Sequence, residues 1–248
     1  MLRQACQQFD RINALVPGDV ALRLMLGESF NRCSMPDRAL QIVAEMRAES
    51  DLRRLGPTNE VEIAFLEASA WYAKTNRPQA EAIIYSLLAT HPGDADLSDR
   101  AGAVFTAHQS YSNALRIVRQ QLQFTPGNVP ALVNQGSLYI LMGDYSNAIP
   151  VLTRALSLTN AYSARVNRAC AYLQTGRPDA AAADYQELLD AFPAAYRPYH
   201  GLGEIAWQKR DTNAAIRYYQ QYLAKAAGDT DEARFVAARL KSLQQRRP

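Results

Sequence analysis

The stretch VPALVNQGSLYILMGDYSNAIPVLTRALSLTN, residues 129–160, decides the fold. Apolar residues recur at helical spacing on both sides of Gly143-Asp144. Glycine accepts the left-handed backbone that ends helices, and aspartate caps the helix that follows. The stretch therefore predicts two helices joined by a tight turn. Gly136 is expected to face the second helix at Ala148, because a residue without a side chain lets two backbones approach closely.

A pattern of three residues from this stretch recurs along the chain. It consists of a small residue, an aromatic residue three positions later and an alanine twelve positions later, at Gly27/Phe30/Ala39, Ala68/Trp71/Ala80, Gly102/Phe105/Ala114, Gly136/Tyr139/Ala148 and Ala169/Tyr172/Ala181. In a sixth copy, Gly203/Ala215, Ala206 replaces the aromatic residue and Trp207 follows it. The steps between copies are 41, 34, 34, 33 and 34 residues. A step near 34 indicates an array of helical hairpins.

On these residues the chain resembles the tetratricopeptide repeat (TPR) family over nearly its whole length. Prolines at the ends of second helices support the resemblance, at Pro17, Pro92, Pro126 and Pro193. Pentatricopeptide and Sel1-like arrays are related alternatives, but the step and the three-residue pattern favour the TPR family. The resemblance implies an all-α fold, a right-handed α-solenoid superhelix of about six TPR helical hairpins. An N-terminal half-repeat helix and a C-terminal capping helix complete the expected array.

The repeat boundaries follow from the same register, within a single solenoid domain, residues 1–248. We expect a half-repeat cap at 2–17, repeats at 20–55, 60–94, 95–128, 129–161, 162–195 and 196–228, and a capping helix at 231–246. The long first step predicts a helix from Asp37 to Leu55 that ends at Gly56-Pro57, with a loop insertion as the alternative. Pro150 is expected to bend its helix, and the junction between residues 158 and 163 is expected to be tight. The last helix should bury Phe235, Leu240 and Leu243 and expose Arg239, Lys241, Gln244 and Arg246.

Composition limits the classes of partner and compartment. The net charge is +3, and the basic excess lies from Lys209 onward, where a solvated capping helix accounts for it, so no nucleic-acid partner is expected. The three cysteines, Cys6, Cys33 and Cys170, are an odd number at long separations, which is not the pattern of a disulfide framework. Reduced thiols suit a cytoplasmic protein, but a cysteine-poor periplasmic protein would look similar. No apolar run approaches the length of a membrane span, and residues 2–15 are amphipathic, unlike a signal peptide.

Motifs for catalysis are not apparent. The three histidines, His91, His108 and His200, fall at different places in their repeats, and no cluster has metal-ligand spacing, so neither a metal nor a cofactor is expected. Residues 201–206 match a dinucleotide fingerprint by letters, but no strand precedes them and Gly203 already has a packing role. No recognisable nucleophile motif is present. We therefore expect a protein that is not an enzyme.

The resemblance implies a binding surface, because first helices of TPR hairpins line a concave groove that holds a peptide. The expected groove residues are Phe65, Tyr72, Arg100, Val133, Asn134, Ser137, Ile140, Val166, Asn167, Cys170, Arg197 and Trp207. Asn134 and Asn167 occupy the same place in consecutive repeats, and an amide can pair with both the N–H and the C=O of a passing backbone. Arg100 or Arg197 could hold a carboxylate through a bidentate fork.

Several apolar residues are expected on this face, where water should reach them: Phe65, Tyr72, Ile140, Leu173 and Trp207. Exposed apolar surface of this kind usually marks a partner site. The alternative is that some of them pack between neighbouring first helices. For Phe65 and Leu173, packing and exposure to a partner are about equally expected. A chaperone-tail clamp is incomplete, since Asp99 and Ala103 stand where a lysine and an asparagine are needed.

The sequence thus predicts a non-catalytic protein–protein interaction scaffold, or adaptor, that binds a peptide or protein segment in its groove. The alternative is an architectural or self-associating TPR arm of a larger assembly or of a multidomain enzyme. The expected partner is a protein or peptide ligand, and an oligomer of identical chains is left open.

Overall fold

The structure, a computed structural model, describes residues 19–48, 52–226 and 230–245, together with Gln8, Arg11, Ile12 and Gly228, and it omits the side chains of residues 52–58. These residues form thirteen α-helices and no strand. The helices are α1 (Val20–Arg32), α2 (Pro36–Ala48), α3 (Leu52–Ala73), α4 (Arg77–Thr90), α5 (Ala95–Ala107), α6 (Tyr111–Phe124), α7 (Val129–Leu141), α8 (Tyr145–Leu158), α9 (Tyr162–Gln174), α10 (Pro178–Ala191), α11 (Arg197–Gln208), α12 (Thr212–Lys225) and α13 (Asp231–Gln245). The predicted half-repeat helix at 2–17 lies outside the described residues, apart from three isolated positions.

The helices divide between two compact units. The first unit ends at Ser110 and contains α1–α5, and the second begins at Tyr111 and contains α6–α13. Within each unit, consecutive helices pack as hairpins: α1 with α2 and α3 with α4 in the first, and α7 with α8, α9 with α10 and α11 with α12 in the second. The predicted all-α fold of TPR hairpins is confirmed. The predicted single domain over residues 1–248 stays a prediction.

The six alanines of the recurring pattern lie at the centres of the hairpins. Each is completely buried: Ala39, Ala80, Ala114, Ala148, Ala181 and Ala215. Gly136 faces its hairpin partner as predicted, but the residue it meets is Leu152, whose Cδ2 lies 2.4 Å from where a Cβ of residue 136 would stand. Helical side chains lean toward the N-terminus, so the residue one turn after Ala148 fills the space beside the glycine.

The turn that follows the first helix of a repeat has a residue with positive φ at the same place in six copies. Gly143 has a φ of 74°, and the Asp144 carboxylate accepts the N–H of Asn147 at 3.3 Å, as the sequence predicted. The equivalent residues also have positive φ, at Ser34, Thr75, Gln109, Gly176 and Arg210. The left-handed position is therefore required by the hairpin even where the sequence offers no glycine.

The predicted helix from Asp37 to Leu55 is wrong. Helix α2 ends at Ala48, and the extra residues of the first repeat instead lengthen α3, which runs through Gly56-Pro57. Pro57 is the sixth residue of α3, so the hydrogen bond it removes lies near the helix start, and buried Ile63 and Leu66 hold the rest of the helix in the core. Pro150 is likewise the sixth residue of α8, which continues to Leu158.

The final helix begins at Asp231 as predicted, but its buried face includes Val236 instead of the predicted Phe235. Val236 is completely buried and Leu243 is 8% exposed, whereas Phe235 is 49% exposed. The inward face therefore follows Val236, Leu240 and Leu243, a helical i, i+4, i+7 series. The prediction for Phe235 is wrong, and so is the predicted exposure of Arg239, whose side chain is only 22% exposed.

Candidate functional site

The first helices of the second unit, α7, α9 and α11, carry most of the predicted groove residues. The Asn167 amide on α9 donates from Nδ2 to the Ser137 hydroxyl oxygen on α7 at 2.8 Å, and Ser137 donates to the Val133 carbonyl oxygen at 2.9 Å. Asn134 lies on the same helix and is exposed. The structure thus joins Asn167 to Ser137 directly, and this pairing leaves the Asn167 carbonyl oxygen as an acceptor.

Apolar side chains flank these polar groups. Val133, Ile140, Val166 and Leu173 are all half-buried, and so is Cys170. Burial raises the pKa of the Cys170 thiol, which keeps it protonated and poorly nucleophilic. The surface made by these residues suits contact rather than chemistry.

In the first unit, the predicted groove residues are covered by α5. Phe65 is 8% exposed and Tyr72 is 6% exposed. The Arg100 guanidinium lies 4.6 Å from the centre of the Phe65 ring and donates to Glu62 at 2.8 Å. Phe65 therefore packs between neighbouring helices, which was the alternative for this residue. Arg100 forms an ion pair with Glu62 of its own unit.

Tyr72 is buried by His108, the residue that follows α5, so the expectation that water reaches it is wrong. The two rings stack at 3.9 Å with an interplanar angle of 3°. Burial lowers the pKa of His108, which favours the neutral ring in this stack. The covering residue caps the end of the next first helix, so its position could not be predicted from the sequence of α3 alone.

At the end of the second unit, α13 reaches the inner face of α11. Arg197 and Trp207 are exposed on α11, with Trp207 at 43%. The Arg239 guanidinium of α13 lies 4.1 Å from the centre of a Trp207 ring and donates to Glu204 at 2.7 Å. The His200 Nδ1 and the Glu232 carboxylate are 2.7 Å apart. Sequence reasoning missed these contacts, although His200, Glu204 and Trp207 have the i, i+4, i+7 spacing of one helix face.

The pKa values of His200 and Glu204 in this cluster are shifted. The nearby Glu204 carboxylate and the hydrogen bond with Glu232 raise the pKa of His200 against the opposing effect of burial. Burial alone would raise the pKa of Glu204, but the nearby His200, the hydrogen bond from Tyr219 and the charge of Arg239 lower it overall. The cluster therefore favours the charged forms of His200 and Glu204.

A second set of charges, also missed from the sequence, is structural. Asp184 on α10 is 2% exposed and accepts two hydrogen bonds from Arg168 on α9, at 2.9 and 2.6 Å. Arg168 also donates to Thr153 on α8 at 3.0 Å. The pKa of Arg168 is raised, chiefly by its hydrogen bonds to Asp184. This network joins three consecutive helices and sets the position of α9, whose other face carries Asn167.

The first unit also has an open cleft of about 380 Å³ between α2, α3 and α4. Its lining is half apolar and half polar, with Ile63, Ala64, Ile83, Leu87, Arg47, Glu60, Ser86 and Thr90. Arg47 is held by Glu67 at 2.5 Å. None of the predicted groove residues lines this cleft.

Within the residues the structure describes, no group of three or more His, Cys, Asp or Glu side chains could hold a metal ion. Among the same residues, no helix combines the length and apolar character that crossing a membrane requires.

Comparison with known proteins finds tetratricopeptide repeat proteins that resemble part of the sequence and most of the fold. The sequence profile described as tetratricopeptide repeat matches residues 133–196 and 166–232. Among solved structures, a tetratricopeptide repeat protein from Parabacteroides merdae is 17% identical, with 91% of this chain and 87% of that chain covered and a TM-score of 0.63. The C-terminal part of a TPR repeat-containing protein from Cytophaga hutchinsonii is 14% identical, covers 93% of this chain and 92% of its own, and has a TM-score of 0.60.

PilW, described as a widely conserved type IV pilus biogenesis factor, is also similar. It is 16% identical, with 75% of this chain and 86% of that chain covered and a TM-score of 0.59. At such identities the likeness concerns the fold. No curated protein matches the sequence significantly.

Proposed function

Because this chain is a tetratricopeptide repeat protein, we propose that it is a non-catalytic scaffold that binds an extended protein segment along the inner face of α7, α9 and α11. The fold is generally used for protein interactions rather than catalysis. We place the site in the second unit, because α5 covers Phe65 and Tyr72 in the first.

The contact between Asn167 and Ser137 carries this proposal. It aligns polar side chains from neighbouring first helices at 2.8 Å, with exposed Asn134 on α7 beside them. An amide can accept from a backbone N–H and donate to a backbone C=O, so such a series suits a peptide of any sequence. Half-buried Ile140 and Leu173 would contact its apolar side chains.

Arg197 gives the proposed ligand a chemical preference. It is exposed at the start of α11, and no ion pair joins it to another residue in the described part of the chain. A free guanidinium binds carboxylates bidentately. We therefore expect an extended segment with an acidic side chain near the α11 end, and Arg100 is dropped from this role because Glu62 already binds it.

The test begins with recovery of a partner from host lysate on the immobilised chain, followed by affinity measurement with the isolated partner segment. Asn134→Ala with Asn167→Ala should weaken binding about tenfold, since each lost hydrogen bond contributes roughly 1 kcal/mol or less. Gln120→Ala with Gln221→Ala, exposed on second helices, is the control. Unchanged affinity of the asparagine variant, with helicity retained, would remove the groove assignment.

A second candidate, an architectural role through self-association, is favoured by a different surface. Phe124, Leu158 and Phe192 stand 34 residues apart at the ends or just beyond the ends of α6, α8 and α10, and they are 75%, 52% and 38% exposed. Exposed apolar residues at equivalent repeat positions suit contact with a second copy. Light scattering should then show a mass that rises with concentration and falls to the monomer in Phe124→Ser/Phe192→Ser. A monomer at every concentration rejects this candidate.

A further inference from the structure

Helix α13 covers part of the proposed groove. Three residues of one α11 face, His200, Glu204 and Trp207, are each contacted by α13, through Glu232 to His200 and through Arg239 to the other two. The Arg239 guanidinium also lies 4.7 Å from the centre of the Phe235 ring, so it is placed between two aromatic side chains. With α13 docked, Arg197 and part of Trp207 stay exposed, whereas His200 and Glu204 between them are half-buried.

Both apolar and ionic contacts hold α13 in this position, and one of the ionic contacts depends on the protonation of a histidine. Apolar anchoring comes from Val236 and Leu243, which pack in the cluster around Tyr219 and Tyr222 of α12. Around His200 stand Glu204 on its own helix, Tyr222 on α12 with ring centres 5.4 Å apart, and Glu232 and Arg239 on α13. Tyr219 on α12 donates to Glu204 at 2.6 Å and so belongs to the same network.

The surroundings of His200 favour the protonated ring, because carboxylates stand on both sides of it, although only its Nδ1 makes a hydrogen bond. Its Nδ1 lies 2.7 Å from the Glu232 carboxylate and its Nε2 lies 3.7 Å from that of Glu204. A neutral imidazole carries one N–H, so one of its nitrogens would turn a lone pair toward a carboxylate. The imidazolium has a donor on both sides and balances both carboxylates, one of which belongs to α13.

We propose that α13 is a latch over the α11 end of the groove, held closed when His200 is protonated and loosened when His200 loses that proton. The proton leaves from a ring nitrogen to water, and Glu204 and Glu232 then face a neutral ring with Arg239 as the one remaining cation of the cluster. This regulation rests on the proposed function, because the latch controls access to the same groove.

The direction of the pH dependence follows from linkage. Docking of α13 raises the pKa of His200, so the docked state binds the proton more tightly than the open state. The extra stability of docking is fully present below the ordinary histidine pKa and is lost as the pH rises through the raised value. The latch is therefore closed in mild acid and loosens as the pH rises through the raised pKa of His200.

The test reads the latch in the full chain without any partner. Hydrogen exchange of residues 231–245 measures the equilibrium constant for detachment of α13, after correction for the intrinsic effect of pH on amide exchange. This constant should increase between about pH 5.5 and 8.5, by roughly tenfold for each unit by which docking raises the pKa of His200. Trp207 emission in a Trp71→Phe background gives a second readout, because Trp71 and Trp207 are the two tryptophans. Its emission should move to longer wavelength over the same range.

Two variants isolate His200. In His200→Gln, the corrected hydrogen exchange of α13 should not vary with pH and should stay close to that of the unmodified chain at high pH. Glu232→Gln should reduce the variation with pH, because it removes the carboxylate on α13. His91→Gln, in the first unit, should leave the profile unchanged. A flat profile in the unmodified chain, or an undiminished slope in His200→Gln, would overturn the latch. Because no ligand is present, neither result affects the groove proposal, which the asparagine variants test separately.

Discussion

Gly136 leaves the space that the Leu152 side chain fills, and this makes it a sensitive position. A Cβ there would stand 2.4 Å from Leu152 Cδ2, and Leu152 is completely buried and cannot swing into solvent. Gly136→Ala should therefore destabilise the chain by about 1–3 kcal/mol, the usual cost of overpacking. Urea unfolding followed by circular dichroism measures the change.

Gly102, at the equivalent place in the repeat, is the matched control. No heavy atom of the described residues lies within 4 Å of its would-be Cβ. Gly102→Ala should be neutral or stabilising by about 0.5–1 kcal/mol, because alanine is the better helix former. Equal destabilisation by both substitutions would contradict the close approach at Gly136.

Asp184 is the second residue with a large predicted effect. It is 2% exposed, and Arg168 binds it through two hydrogen bonds. Asp184→Asn should cost about 3 kcal/mol, since it leaves buried guanidinium charge without its counterion. Asp179→Asn, at an exposed ion pair with Lys209, should have no measurable effect on the unfolding midpoint. A comparable loss in both variants would show that Asp184 has no special role.

At the scale of elements, the turn that follows a first helix requires a residue with left-handed backbone conformation. Gly143 and Arg210 hold equivalent left-handed positions in the second unit, with φ of 74° and 62°. Gly143→Ala should destabilise by about 1 kcal/mol, because a Cβ is strained in this conformation. Arg210→Gly should stabilise by up to about 1 kcal/mol for the same reason. Thermal unfolding tests the pair, and shifts of the same sign would contradict the account.

At the scale of the whole molecule, α13 closes the apolar cluster of the last hairpin. Val236 and Leu243 pack with Ile216, Tyr219 and Tyr222 of α12. A chain ended after Ala226 should lose several kcal/mol of stability, because a buried Val or Leu side chain contributes about 1.5–3 kcal/mol. It should also aggregate, since array ends need a polar outer helix. Lys241→Ala, which leaves α13 in place, is the control, and an unchanged melting temperature after truncation would exclude a capping role.

The repeat register was readable from the sequence because the hairpin contact is local. Each of the six pattern alanines is completely buried, and the turn at Gly143-Asp144 is where the sequence predicted it. The extra length of the first repeat was assigned to the wrong helix, since good helix formers between residues 48 and 55 can extend either neighbour. Only packing of the segment that follows, around Ile63 and Leu66, decides between them.

The candidate site was predictable only in part. The sequence alone determined most of the helices and their pairing, because these follow from helical periodicity within one hairpin. It also predicted which positions face the proposed groove. Which of those positions stay accessible was decided by the tertiary structure: His108 covers Tyr72, Glu62 engages Arg100, and α13 covers the middle of α11. Each covering group lies more than 30 residues away in the sequence, on or next to a neighbouring helix. The spacing of residues within one helix, from which the groove positions were predicted, therefore carries no information about it.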